Sequence, residues 1–158
     1  MKGVLIGVVA VISSVLALLK SCEYLENPKS HYASFSEARN AGALAEGGWL
    51  PDLLPKSATD ITEQHNIDTN AMWLAFTFSG APFSSTPKGC VLAKAPPQHD
   101  GAPRWWRRDA EQLGPPATVF SCPRRGELTA YWLDSRCSLQ VGQSRAVYEC
   151  DSPVLVPK

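Results

Sequence analysis

The hydrophobic pattern divides the chain into an apolar leader and a remainder in which polar and apolar residues are more finely mixed. Lys2 is followed by 17 residues without a charge, from Gly3 to Leu19, and then by Lys20. That length is at the short edge of what can cross a bilayer and is longer than most cleaved signal-peptide cores. We therefore expect residues 1–22 to attach the chain to a membrane, with the rest facing the periplasm or the cell exterior.

The residues around Cys22 leave three fates of this leader open. Leu19-Lys20-Ser21-Cys22 resembles a bacterial lipobox, whose cysteine becomes a lipid anchor, but the charged Lys20 departs from that pattern. An uncleaved helix is favoured because Lys20 could then reach the far interface. The third fate is cleavage as a secretory signal.

The polar residues 23–33 predict a short tether, and residues 34–158 are enough for a single extracytoplasmic domain. Ser34-Phe35-Ser36-Glu37 is a capping-box arrangement, in which a hydroxyl and a carboxylate three residues apart satisfy free amides at a helix start. We expect a helix over 35–45, because apolar positions recur there at helical spacing and Gly47-Gly48 follows.

Further along the chain, β-rich runs predict strands at 57–65, 72–78, 118–122, 128–133 and 146–150. Thirteen prolines and eleven glycines favour short elements and long loops. Neighbouring runs have no room for a crossover helix, so they are expected to pair antiparallel. The predicted fold class is α+β, with an antiparallel sheet of about four to six strands and one main N-terminal helix.

The cysteines predict a disulfide-braced domain. Apart from Cys22, the chain has four, at positions 90, 122, 137 and 150, without the C-x-x-C spacing of a metal site. Outside the cytoplasm they are expected to form two disulfides, for which three pairings exist. The pairing of Cys122 with Cys150, and of Cys90 with Cys137, is favoured because Cys122 and Cys150 each end an apolar strand-like run.

Several segments resemble a known bacterial family. They include Ser36 to Ala43, the Gly-Trp-Leu-Pro piece at 48–51, the Ser-Ala-Thr-Asp-Ile piece at 57–61, and Asp68 to Phe76. This stretch, residues 36–78, resembles the YbbD head domain found in uncharacterised envelope proteins. The resemblance implies a bacterial, membrane-attached protein of unknown activity, and it supplies no catalytic residues.

The concentrated basic and aromatic cluster at Trp105, Trp106, Arg107 and Arg108 is a binding candidate. Guanidinium groups stacked on indole rings can bind a glycan, a nucleic acid strand or a lipid headgroup. Fifteen basic and fifteen acidic side chains cancel, however, so no nucleic acid partner is expected. The competing interpretation, which we favour, is that one tryptophan packs inward while the arginines cover its edge.

Catalytic and metal signatures are weak. The three histidines, His31, His65 and His99, have no metal-ligand spacing, and neither a phosphate-binding glycine loop nor a G-x-S-x-G motif is present. We therefore expect no cofactor and no metal. Asp60, Glu63 and His65, which are expected to share one strand face, could form a polar site, although such stripes are more often the solvated side of a sheet.

These observations favour a noncatalytic, membrane-anchored envelope protein that binds another protein. One alternative is a small envelope hydrolase that uses Asp60, Glu63 and His65. The other is an immunity-like inhibitor of a secreted toxin, which only the small anchored format suggests.

Overall fold

The computed structural model describes residues 25–45, 48–94, 101–114, 117–124, 127–128, 131–134, 136–151 and 154–157. The leader and Cys22, and with them the three predicted fates, lie outside these residues. Within them, no helix is long and apolar enough to cross a bilayer.

A seven-stranded antiparallel sheet dominates the described residues, with the strand order β1-β2-β3-β9-β8-β5-β4. A separate three-stranded antiparallel sheet has the order β10-β7-β6. The strands are β1 Lys29–Ser34, β2 Thr59–His65, β3 Met72–Thr77, β4 Val91–Ala93, β5 Thr118–Pro123, β6 Glu127–Leu128, β7 Tyr131–Asp134, β8 Arg136–Val141, β9 Arg145–Cys150 and β10 Val154–Pro157. The helices are α1 Phe35–Asn40 and α2 Arg104–Glu111.

The predicted α+β fold with one main helix and about four to six strands is therefore wrong. The capping box does start α1, since the Glu37 amide donates to Ser34 Oγ at 3.2 Å and the Ala33 amide donates to Glu37 Oε2 at 2.7 Å. The helix nevertheless has only six residues instead of continuing to 45. Gly42 adopts a φ of 79° and its amide donates to the Arg39 carbonyl, which ends the helix in the left-handed conformation that glycine favours.

Strand β1 begins inside the predicted tether and takes up its last five residues, 29–33. Its residues alternate between exposed and half-buried, and Tyr32 lies opposite Ile61 of β2. Order in the sheet therefore begins at Lys29 and not at Ser34. A single inward-facing aromatic residue is too weak a pattern to distinguish such an edge strand from a polar linker.

Strand β8 is the most consequential element that the sequence prediction missed. The sequence analysis predicts no strand between the runs 128–133 and 146–150, but Cys137, Leu139 and Val141 alternate with polar residues and are buried. This period-two pattern is typical of a half-buried strand. The structure inserts β8 between β5 and β9.

The position of β8 corrects the favoured disulfide pairing. The bonds join Cys90 to Cys122 and Cys137 to Cys150. Cys122 and Cys150 both lie opposite Cys137 in the sheet, one on each neighbouring strand, so β8 separates them. Both cysteines end strands as expected, but those strands are not adjacent.

The seven-stranded sheet is covered on both faces. Its α1 face carries the larger core, in which Leu74 and Phe76 of β3 pack with Ile61, Leu139 and Tyr148 beneath α1 and the segment 48–58. Its α2 face carries a smaller core that consists of Ala71, Trp73, Ala75, Ala102, Trp106 and Val147. Strand β3 is buried on both faces, which explains its nearly continuous apolar sequence.

Candidate functional site

The predicted polar stripe of Asp60, Glu63 and His65 does not form one site. The pairing of β2 with β3 shifts register between Thr59 and Thr62, and Asp60 adopts a φ of 50° there. Residues 60 and 63 are also an odd number of positions apart, so the period-two alternation of a strand sends their side chains to opposite faces. Glu63 and His65 consequently face the α1 core, whereas Asp60 is exposed and accepts a hydrogen bond from Arg145 Nη2 at 3.3 Å.

Glu63 and His65 instead form a buried pair with Trp49. His65 Nδ1 lies 2.7 Å from Glu63 Oε1, and the two residues are only 7% and 3% exposed. The Trp49 indole stacks on the imidazole, with ring centroids 3.7 Å apart and planes 10° from parallel. The Gly-Trp-Leu-Pro piece thus covers the polar pair, because the Leu50 amide donates to the Ala43 carbonyl and holds this loop over β2.

Burial determines the charge state of this pair. It raises the pKa of Glu63 to about 8 and lowers the pKa of His65, because the charged form of each group loses its hydration. Both pKa shifts agree with a neutral Glu63 carboxyl that donates a hydrogen bond to a neutral His65 imidazole. The pair therefore carries no net charge at pH 7. A general base must reach the proton that it removes. Atoms this deeply buried lack that access in the arrangement observed.

The aromatic cluster of α2 is engaged with the sheet. Trp106 is buried, and its Nε1 donates to the backbone carbonyls of Leu74 and Tyr148, both at 3.2 Å. Trp105 is half-buried, and its Nε1 donates to Gln64 Oε1 at 2.7 Å. Lys29 Nζ lies 4.6 Å from the centroid of a Trp105 ring, within cation–π distance.

The arginines of the cluster lie on the outer side of α2. Arg107 and Arg108 are exposed, and Arg107 Nε donates to the Ala102 carbonyl at 2.9 Å. One tryptophan packs inward while the arginines face water, which is the arrangement expected from the packing interpretation. The indole ring of Trp105 already holds Lys29, so a ligand cation would compete with it.

Residues 26–77 match the family model of the YbbD head domain. The resemblance predicted over 36–78 is thereby confirmed, and the match adds the residues of β1. It agrees with an envelope-associated bacterial protein and specifies no activity. No curated protein and no solved structure matches the chain.

The YbbD head match comprises β1, α1, β2 and β3, and so contains Trp49, Glu63 and His65. It ends at the last residue of β3, where residues from outside the match take over. Strand β9 pairs with the whole of β3, from Met72 opposite Cys150 to Thr77 opposite Arg145. Helix α2 covers the other face through Trp106. The head segment and the cysteine-containing half therefore share one sheet.

A surface outside the YbbD head match was not among the predicted sites. Strand β4 lies at the edge of the sheet, and Val91 and Leu92 are 54% and 71% exposed. Lys88 and Lys94, both exposed, flank this strand. The signal in the sequence is the short apolar run Val91-Leu92-Ala93 between two lysines in a proline-rich segment.

Among the described residues, no group of three or more His, Cys, Asp or Glu side chains is placed to hold a metal ion. His31 interacts with Thr62 Oγ1 at 3.1 Å on β2, and His65 is paired with Glu63. His99 lies outside the described residues.

Proposed function

We propose that this chain is a noncatalytic protein-binding domain of the bacterial cell envelope, held at a membrane by residues 1–22. The observation that carries the proposal is the contrast between its polar and apolar groups. Glu63 and His65, which could support chemistry, are buried and paired with each other, whereas Val91 and Leu92 are exposed at a sheet edge.

Several features support an envelope location. The YbbD head match agrees with it, and two disulfides in one small domain are typical of oxidising compartments.

Mass spectrometry of the mature amino terminus tests the mode of attachment. We expect an intact Met1 in the membrane fraction. A chain that begins at a lipid-modified Cys22, or one that has lost the leader, would contradict the uncleaved anchor.

The hydrolase alternative receives no support from the geometry. Asp60 lies on the opposite side of β2 from Glu63 and His65, and it is engaged with Arg145. The inhibitor alternative is a special case of protein binding, and a toxin as the partner would establish it.

Co-purification under native conditions tests the proposal. The full-length chain, tagged at its carboxyl terminus, is extracted from its native membranes in mild detergent and isolated together with whatever remains bound. We expect one other envelope protein in constant stoichiometry across detergents and salt concentrations. Recovery of the chain alone after cross-linking in intact cells would contradict the proposal.

A further inference from the structure

Strand β4 is hydrogen-bonded on one side only within the described part of the chain. Val91, Leu92 and Ala93 lie opposite Ser121, Phe120 and Val119 of β5, and β4 ends the strand order. An edge strand presents backbone amides and carbonyls that another extended chain can pair with. The backbone geometry thus selects an extended segment as the ligand.

The two edges of the sheet differ in how they meet solvent. At the β1 edge, Lys29 and His31 are exposed while Tyr32 turns inward, which is the polar protection that natural edge strands usually have. At the β4 edge, Leu92 continues the α1 face beyond buried Phe120, and Val91 continues the α2 face. A strand added to β4 would cover apolar side chains on both faces.

A disulfide holds this edge in place before any partner binds. Cys90, directly before β4, is bonded to Cys122 of β5, and their Cα atoms are 4.1 Å apart. A surface that is already ordered loses less conformational entropy on binding.

The flanking charges select the partner. Lys88 and Lys94 are both exposed, so acidic residues on either side of the incoming strand would be complementary. A second copy of this chain fits poorly, because antiparallel self-pairing centred on Leu92 would place Lys94 of one copy diagonal to Lys88 of the other. Like charges in such cross-strand positions are unfavourable.

We propose that β4 binds an extended, acid-flanked apolar segment of another protein by antiparallel strand addition. This inference rests on the proposed protein-binding function and names its surface and the class of its partner. It requires that Leu92 contact the ligand and that Lys88 and Lys94 set its charge preference.

The test uses the folded full-length chain in detergent micelles and the labelled peptide Asp-Asp-Thr-Val-Ile-Val-Thr-Asp-Asp. Control peptides replace the four acids with lysine or the central Ile-Val with two prolines, which cannot donate to the strand. Binding is followed by fluorescence anisotropy, and backbone contact is followed by hydrogen exchange of residues 91–93. Leu92→Lys is compared with Ile67→Lys, which changes a side chain that is 51% exposed on the β2–β3 turn.

We expect the acidic peptide to bind about tenfold more tightly than either control peptide and to slow exchange at residues 91–93. Leu92→Lys should weaken binding about tenfold and Ile67→Lys should leave it unchanged. The double variant Lys88→Glu/Lys94→Glu should reverse the preference towards the lysine peptide. Thermal unfolding of each variant should match that of the parent, because these side chains are exposed.

Equal binding of the acidic and lysine peptides, an unchanged affinity in Leu92→Lys, or no binding at millimolar peptide would overturn the inference. So would a chain dimer that Leu92→Lys dissociates. A native partner that co-purifies equally well with Leu92→Lys would leave the protein-binding function standing and eliminate β4 as its surface. Absence of any partner with the parent chain would instead count against the function itself.

Discussion

The buried Glu63–His65 pair predicts that Glu63→Gln changes how stability depends on pH. Glutamine keeps the size of the side chain and can still donate a hydrogen bond to His65 Nδ1, which lies 2.7 Å from Glu63 Oε1. It cannot ionise. The substitution therefore removes the titration and leaves the stack of Trp49 on His65 in place.

The magnitude follows from the pKa shift. The pKa of the Glu63 carboxyl is 4.5 in the unfolded reference and about 8 in the folded chain, so between these values the folded state holds a proton that the unfolded state has released. Its contribution to stability is fully present below pH 4.5 and is lost as the pH rises towards 8. At about 1.4 kcal/mol per pH unit, the loss between pH 5 and pH 7.5 is roughly 3 kcal/mol.

Urea unfolding with both disulfides intact, followed by tryptophan fluorescence at several pH values, measures this effect. Glu63→Gln should be within about 1 kcal/mol of the parent at pH 5 and about 2 to 3 kcal/mol more stable near pH 7.5. The control Glu111→Gln, which alters an exposed side chain of α2, should show the same dependence of the unfolding free energy on pH as the parent. A Glu63→Gln variant that follows the parent at every pH would refute the claim that this carboxyl is neutral when folded.

The remaining predictions concern local contacts. Trp106→Phe should lower the free energy of unfolding by about 1 to 3 kcal/mol, because two backbone carbonyls lose the indole donor. Trp105→Phe loses one hydrogen bond to Gln64 and should lower the free energy of unfolding by about 1 kcal/mol or less. Equal effects of the two substitutions in urea titrations would contradict this order. Ser34→Ala should lower the free energy of unfolding by about 1 kcal/mol through loss of the α1 cap, whereas Ser34→Asp should keep most of that contribution. Nonreducing peptide mapping should recover Cys90 linked to Cys122 and Cys137 linked to Cys150; a Cys122–Cys150 peptide would contradict the strand order.

Strands could be predicted from the sequence where the local pattern of apolar and polar residues specifies the backbone conformation. Strands β2, β3, β5 and β9 lie within a residue or two of the runs predicted for them. Strand β8 carries an equally regular alternation at Cys137, Leu139 and Val141, so its omission reflects an overlooked signal and not a missing one. The predicted run 128–133 is instead divided between β6 and β7 of the small sheet.

The candidate sites show where pattern reasoning ends. The prediction placed Asp60, Glu63 and His65 on one strand face, but residues 60 and 63 are an odd number of positions apart, so period-two alternation sends their side chains to opposite faces. The stacking of Trp49 on His65 joins residues from a loop and a strand, and no spacing rule predicts that contact.

The amino-acid sequence by itself determined the cap of α1, the antiparallel pairing of the strands, the YbbD head resemblance and the engagement in disulfides of the four cysteines at positions 90, 122, 137 and 150. These depend on neighbours in the chain or on composition. Tertiary structure alone decided that β8 separates β5 from β9, and hence which cysteines bond and which strand is left at the edge; it also decided that the carboxyls of Glu63 and Glu149 are buried. The physical reason is that side-chain alternation specifies the face of a strand, whereas its neighbour in the sheet is chosen by packing between residues far apart in the chain.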